Sequence, residues 1–344
     1  GASKQKQLFA QLVRQHFIIP GGSIWIMRFN FDGTLLAVGG HDAIVRVYKV
    51  KEDPNSNDFL ERDPIMLKGH QGDILSLSWS GSRSNLLLTG SMDSTVRLWR
   101  LGAVLQGTSA QVKSEAFPHD DVITAVMFHP KNEDLFITGC LDNRLRIWNT
   151  HSGKIVSQTF ANTGFVTSVC FTLDGERVIT GSYDGKCTIF TTAGFDYVSE
   201  FSTQRKKGKK ITGIEMMPDG KHFLVTSNDS CIRQYSLPDF AMVSKYKGLK
   251  NENFQIFATP SDSGSYVICG SEDCNVFMWE ANSNKKKTFV HDSFQAHSKS
   301  VTATMFAPVA RRKSVFQEGQ IIVTADLQGE IKVFENKQVT AHST

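Results

Sequence analysis

Residues 86–99, LLLTGSMDSTVRLW, and residues 135–148, LFITGCLDNRLRIW, are two copies of one pattern. Each has an apolar run, a Thr-Gly pair, a polar turn around an Asp, and a second run that ends on Trp. Period-two alternation rich in Val, Ile, Leu and Phe specifies paired strands, and the Gly and Asp punctuate the turn between them. Working outward, RVITGSYDGKCTIF (177–190), YVICGSEDCNVFMW (266–279) and LAVGGHDAIVRVY (36–48) repeat the pattern. FLVTSNDSCIRQY (223–235) is a weaker copy, and IIVTADLQGEIKVF (321–334) ends the series.

Aligned on the closing aromatic, Asp42, Asp93, Asp142, Asp184, Asp229 and Asp273 all fall six residues before it. In the seventh copy Gln328 takes that slot and Asp326 lies two places early. Seven units in 344 residues average about 49 each, above the roughly 40 to 45 of a four-stranded repeat unit. Insertions account for the excess: 51–64 is polar and 309–319 is basic. A further strand-like run, such as DILSLSW or VITAVMF, precedes each Asp. His70 and His119 stand 23 residues before Asp93 and Asp142, and His297 holds the same slot in the seventh unit.

Composition narrows the function classes. Hydrophobic residues at 40% and charged residues at 21% describe a globular chain. No apolar run reaches the roughly 18 to 20 residues of a membrane-spanning helix. A net charge of +4 is too mild to point to nucleic acid. The six cysteines form no CxxC pair and no Cys/His zinc spacing, so a reducing, intracellular compartment is expected. No GxSxG, Walker A or HExxH motif is present, and each Asp is explained by its place in the repeat. Catalytic residues, a metal and a cofactor are therefore not expected.

The pattern GH…TGSxDxxVRLW resembles the WD40 repeat over about residues 20–334. The resemblance implies an all-β, seven-bladed β-propeller with units at roughly 20–50, 66–102, 117–150, 160–193, 209–237, 247–281 and 296–335. Residues 1–19 are expected to close the ring by pairing into the last blade, because an unclosed ring leaves raw sheet edges. In that family a His, a Ser or Thr, the Asp and the Trp form a buried hydrogen-bonded set. The resemblance assigns it to His70, Thr89, Asp93 and Trp99 in the second unit, and to His119, Thr138, Asp142 and Trp148 in the third. Pro20, Asn162, Lys207 and Leu249 occupy the His slot elsewhere, and those units, with the seventh, are expected to rely on turn bonds and packing. Arg46, Arg97, Arg146 and Arg233, four residues after the Asp, read as surface groups or partners of acids between blades.

A narrower resemblance rests on KKITGIEMMPDGKHFLVTSNDSCIRQYSL (209–237), YKGLKNENFQI (246–256) and SMDSTVRLW. These stretches are similar to the WD-repeat-containing Rab-effector proteins of the rabphilin-related group. That likeness implies a cytoplasmic adaptor or effector in vesicle trafficking, peripheral on endosomal or Golgi membranes. Its Rab GTPase contact is implied to lie outside this chain. The alternative is a fixed structural subunit of a large multiprotein complex.

Blade topology places candidate contacts. The residue before each Asp and the residue three after each His slot should meet at the top rim. Met92, Leu141, Tyr183, Val122 and Phe165 then form an apolar cluster in units two to four, and an exposed cluster of this kind marks a partner site. In units five and six the same spacing selects Lys210 and Glu252. Arg205, Lys206 and Lys207 lie on the same expected face, beside the cluster, and suit an acidic peptide. Lys285, Lys286, Lys287, Arg311, Arg312 and Lys313 belong to bottom loops and suit an anionic lipid surface. The chain is expected to be a monomeric, non-catalytic scaffold for proteins or peptide segments.

Overall fold

In the second blade the two runs of the repeat lie side by side: Leu86–Ser91 pairs antiparallel with Thr95–Arg100, and Leu87 faces Trp99. Ile74–Trp79 flanks this pair on one side and Lys113–Pro118 on the other, giving one four-stranded sheet. The computed structural model, which describes residues 11–51, 53, 55–82, 85–109, 111–161, 164–204, 208–281, 290–309 and 316–336, contains seven such sheets. They form a seven-bladed β-propeller. Within each blade chain order runs from the inner strand to the outer one, except in the seventh. Sequence unit and blade are offset. Ile65–Leu67, where the second unit begins, is the outer strand of the first blade.

Burial follows position in the blade. The inner strand Val166–Phe171 is buried at every residue, because both of its faces meet neighbouring blades. The outer strand Ile155–Phe160 is largely exposed. Apolar clusters sit between consecutive blades. Leu88, Val96, Leu98 and Phe117 of the second pack on Ile123, Val126 and Phe136 of the third. The repeated Gly serves this packing: a Cβ on Gly90 would meet Ile123 at 2.6 Å, and one on Gly181 would meet Ile211 at 2.5 Å.

The ring closes through the seventh blade. Gln11–Ile18 pairs with Glu330–Asn336, so the stretch 5–16, whose spacing also allows a helix, contributes a strand over its described part. Gln15 is buried and fastens this seam. Its amide oxygen accepts from the Phe59 and Leu60 backbones at 3.0 and 2.8 Å, and its nitrogen donates to the Leu60 carbonyl at 2.8 Å. Arg14 adds an ion pair to Glu335 at 3.1 Å.

The sixth blade departs from the others. Its inner strand is only Thr259–Pro260, and the residues before it turn into the central channel. Phe254 stacks against Trp25 of the first blade at 6.4 Å between centroids. Gln255 donates to the Thr167 and Thr212 carbonyls of the fourth and fifth blades at 3.1 and 2.8 Å. Beneath them Arg28 pairs with Glu215 across the channel and lies 4.6 Å over the Phe257 ring. Below this plug a cavity of about 510 Å³ is lined by Met127, Leu173, Met217, Met305 and the turns after the inner strands. These turns define the bottom face; the Asp turns define the top.

Candidate functional site

The repeated Asp is first a turn device. The residue after it is left-handed in every blade: Ala43, Ser94, Asn143, Gly185, Ser230, Cys274 and, after Gln328, Gly329. A left-handed residue there suits the tight connection between two paired strands. The carboxylate supports it by accepting a backbone N–H two residues on, from Ile44, Thr95, Arg144 and Asn275 in four of the blades.

The second blade assembles its predicted set in full. His70 Nδ1 lies 2.8 Å from Asp93, its Nε2 lies 2.6 Å from Thr89 Oγ1, and Trp99 Nε1 donates to the same oxygen at 2.9 Å. Burial lowers the His70 pKa against the pull of Asp93. Burial alone would raise Asp93, but bonds from Thr95, the Gln71 amide and His70 outweigh it and hold the carboxyl below its usual range.

The third blade does not assemble the same set. His119 Nε2 lies 2.9 Å from Thr138 Oγ1, which Trp148 reaches at 3.3 Å, but His119 Nδ1 turns to the Phe117 carbonyl at 3.0 Å. Asp142 pairs instead with Arg146, which also reaches Asp120 at 3.3 Å. Burial without a carboxylate partner pushes His119 down to about 4. Asp42–Arg46 at 2.6 Å and Asp229–Arg233 repeat the pairing in blades one and five. Each of these arginines therefore binds the Asp of its own turn, and Arg146 also holds an acid on the connection between two blades. Arg97, whose Asp is held by His70, turns to Ser114 at 3.1 Å and lies over Trp99.

The seventh blade corrects the expectation of packing alone. His297 is buried, with Nε2 2.7 Å from Thr324 Oγ1 and Nδ1 2.7 Å from Glu330. Glu330 stands two residues beyond the Gln328 slot, and its longer side chain makes up the distance. Asp326 lies 3.4 Å from the same nitrogen and accepts the Gln328 and Glu330 amides. His297, Asp326 and Glu330 have the composition of a small metal cluster. The chain from Thr324 through His297 to a carboxylate repeats the second blade's structural set instead, and Lys332 pairs with Glu330 at 3.3 Å.

At the top rim one backbone hydrogen bond recurs. Met92 N–H donates to the Asp73 carbonyl at 2.9 Å, Leu141 to Val122 at 3.0 Å and Tyr183 to Phe165 at 3.0 Å. This bond anchors the cluster residues in pairs. Met92, Phe165 and Tyr183 are 50%, 49% and 62% exposed, while Val122 and Leu141 are half-buried. Phe165 and Tyr183 meet edge to face, 6.5 Å between centroids. In the sixth blade the bond is made by Lys250, not Glu252, because Glu272 gathers the Glu252, Asn253 and Phe254 amides and redirects the loop. A second cluster joins Trp25, which the spacing did not select, to His41 and Asp73, which it places at the top rim. Trp25 Nε1 donates to Asp73 at 2.8 Å and His41 Nδ1 lies 3.0 Å from the same carboxylate. The lone Trp of SIWIM was its available signal.

The predicted basic positions Arg205, Lys206, Lys207, Lys285, Lys286, Lys287, Arg311, Arg312 and Lys313 lie outside the described residues.

A family model described as WD domain, G-beta repeat, matches residues 12–49, 64–100, 111–149, 153–191 and 256–280. The chain is 31% identical to WD repeat-containing protein 44 of Xenopus laevis, over 92% of its own length and 43% of that protein. It is 32% identical to a WD repeat-containing protein of Schizosaccharomyces pombe, over 83% of this chain and 54% of the relative. Jouberin of Mus musculus matches at 28% identity over 66% of the chain and 22% of its own length. The chain thus spans about half the length of the first two relatives.

Proposed function

Because the chain belongs to the WD40-repeat family, whose propellers generally bind proteins or peptides, we propose that it is a scaffold whose top rim captures a protein segment around Phe165 and Tyr183. The observation that carries this reading is the edge-to-face pair itself. Two aromatic rings stand about half exposed on loops locked by the Tyr183-to-Phe165 backbone bond. Rigid exposed aromatics supply contact area at little entropic cost, the usual character of a binding hot spot. The propeller's contribution is fixed presentation: strands hold the turns and the turns carry the contacts.

The finer reading is an adaptor or effector in Rab-linked vesicle traffic, cytoplasmic and peripheral on endosomal or Golgi membranes. The similarity of 209–237 and 246–256 to the Rab-effector group supports it. In this reading the Rab contact lies outside these residues, and the basic stretches 285–287 and 311–313 favour an anionic membrane.

Three measurements test the proposal. Proximity labelling in cells should mark vesicle-traffic proteins, and the Phe165→Ala/Tyr183→Ala variant should lose part of that set. Co-purification at fixed stoichiometry with one large assembly would contradict it in favour of a structural subunit. The purified chain, offered Rab GTPases loaded with a GTP analogue or GDP, should bind neither form.

A further inference from the structure

The turn that carries Tyr183 is covered on one side by the connection from the fourth blade to the fifth. Gly208 and Lys209 lie flat against Asp184 and Gly185. A Cβ on Gly208 would sit 2.0 Å from the Asp184 carbonyl oxygen, and one on Gly185 would sit 2.8 Å from that of Lys209. Thr203 ties the start of this connection to Gly185 through its amide and hydroxyl, both at 3.0 Å from the carbonyl. Lys210 follows directly, and its carbonyl takes the Asn228 amide at 2.9 Å in the rim bond of the fifth blade. A half-buried lysine is thereby fixed on the blade next to the aromatic pair.

Half-burial distinguishes Lys210 from the exposed Lys209 beside it, and three other lysines of the propeller have counter-ions. Lys186 pairs with Glu200 at 3.0 Å, Lys332 with Glu330 at 3.3 Å and Lys250 with Glu252 at 3.9 Å. Among the described residues Lys210 joins no ion pair, and burial alone lowers its pKa. Three carboxylates of the rim turns on blades four to six have other partners. Asp184 is bonded by Ser182, Asp229 by Arg233 and Ser227, and Glu272 by three loop amides. An ammonium withdrawn from water without an opposite charge is a cost that a bound anion removes.

We propose that the segment captured on the top rim is acidic: an anionic oxygen group on it, carboxylate or phosphate, pairs with the Lys210 ammonium while an adjacent apolar side chain packs on Phe165 and Tyr183. This rests on the top-rim reading above. Charge-assisted hydrogen bonding at Lys210 then supplies selectivity and the rings supply contact area. Lys209, exposed beside it, steers approach.

The test is a selection of random displayed dodecapeptides against the folded chain. Wild-type protein should enrich peptides with Asp or Glu next to Phe, Leu or Tyr. The best of them should bind Lys210→Met about tenfold more weakly, Lys210→Arg nearly as well, and Phe165→Ala/Tyr183→Ala not measurably. Replacing the peptide's acidic residue with phosphoserine distinguishes the sources: tighter binding assigns phosphate, weaker binding carboxylate. Thermal melts confirm that each variant is folded. Peptides that need Tyr183 but show no acidic preference and ignore Lys210→Met would overturn this inference and leave the top-rim reading intact. Peptides indifferent to Phe165 and Tyr183, or no enrichment at all, would overturn both.

Discussion

Arg28 of the first blade and Glu215 of the fifth meet as an ion pair across the central channel, with Arg28 against the face of the Phe257 ring. Few pairs in a ring of repeats can do this, because each repeat normally touches only its neighbours. The pair works with Gln255 and the Trp25–Phe254 stack to join the two halves of the ring, and it separates the top rim from the cavity below. Both side chains remain 23% exposed, so their attraction is partly screened. Arg28→Met should cost about 1 kcal/mol in urea unfolding. The double variant with Glu215→Leu should recover part of that loss, because no charge is then left unpaired.

Thr89 receives both His70 and Trp99 in a set that also holds Asp93. Thr138 receives His119 and a longer bond from Trp148, while Asp142 is secured separately by Arg146. Thr89→Val should therefore cost about 2 kcal/mol and Thr138→Val about 1. Equal losses in chemical denaturation would contradict this ordering.

Stability should rise with pH between about 4 and the ordinary histidine value. Burial depresses His119 to about 4 in the folded protein, against about 6.5 unfolded. The unfolded chain then binds more protons inside that window. The contribution is full above the unfolded value and is lost as pH falls toward 4, by up to about 3 kcal/mol. His119→Gln should reduce the slope of the stability profile there. The carboxylates Asp93 and Asp142, whose pKa values are lowered, act from the usual carboxylate range downward, whereas His70, also lowered by burial, adds to the same rise and keeps part of the slope in the variant.

Gln15 spans the closing seam with three hydrogen bonds to the Phe59–Leu60 backbone. Gln15→Ala leaves buried amides unpaired and should cost about 2 to 3 kcal/mol. Hydrogen exchange should rise first in Gln11–Ile18 and its partner strand Glu330–Asn336.

The propeller was legible because its local signals agree: alternation, the Thr-Gly step and the Asp turn all recur in register. Side-chain partnership was less so. His119 and His70 occupy equivalent slots, yet only His70 meets its Asp, since Arg146 reaches Asp142 from four residues away. Nothing in residue spacing decides that competition. Glu330 stands in for a missing Asp from two residues further on, which a search confined to one slot overlooks. The diversion of Phe254, Gln255 and Phe257 into the channel depends on partners in blades one, four and five, far away in sequence. The aromatic rim pair was legible as a position, while its exposure came only from the fold.

The most direct test is the affinity of one captured partner for three forms of the chain: wild type, Phe165→Ala/Tyr183→Ala, and Leu173→Ala on the bottom face. The top-rim variant should weaken binding by about thirtyfold or more with an unchanged melting temperature, and Leu173→Ala should bind as wild type does. Undiminished binding by the top-rim variant, or a loss seen only with Leu173→Ala, would contradict the assignment of the top rim as the interaction site.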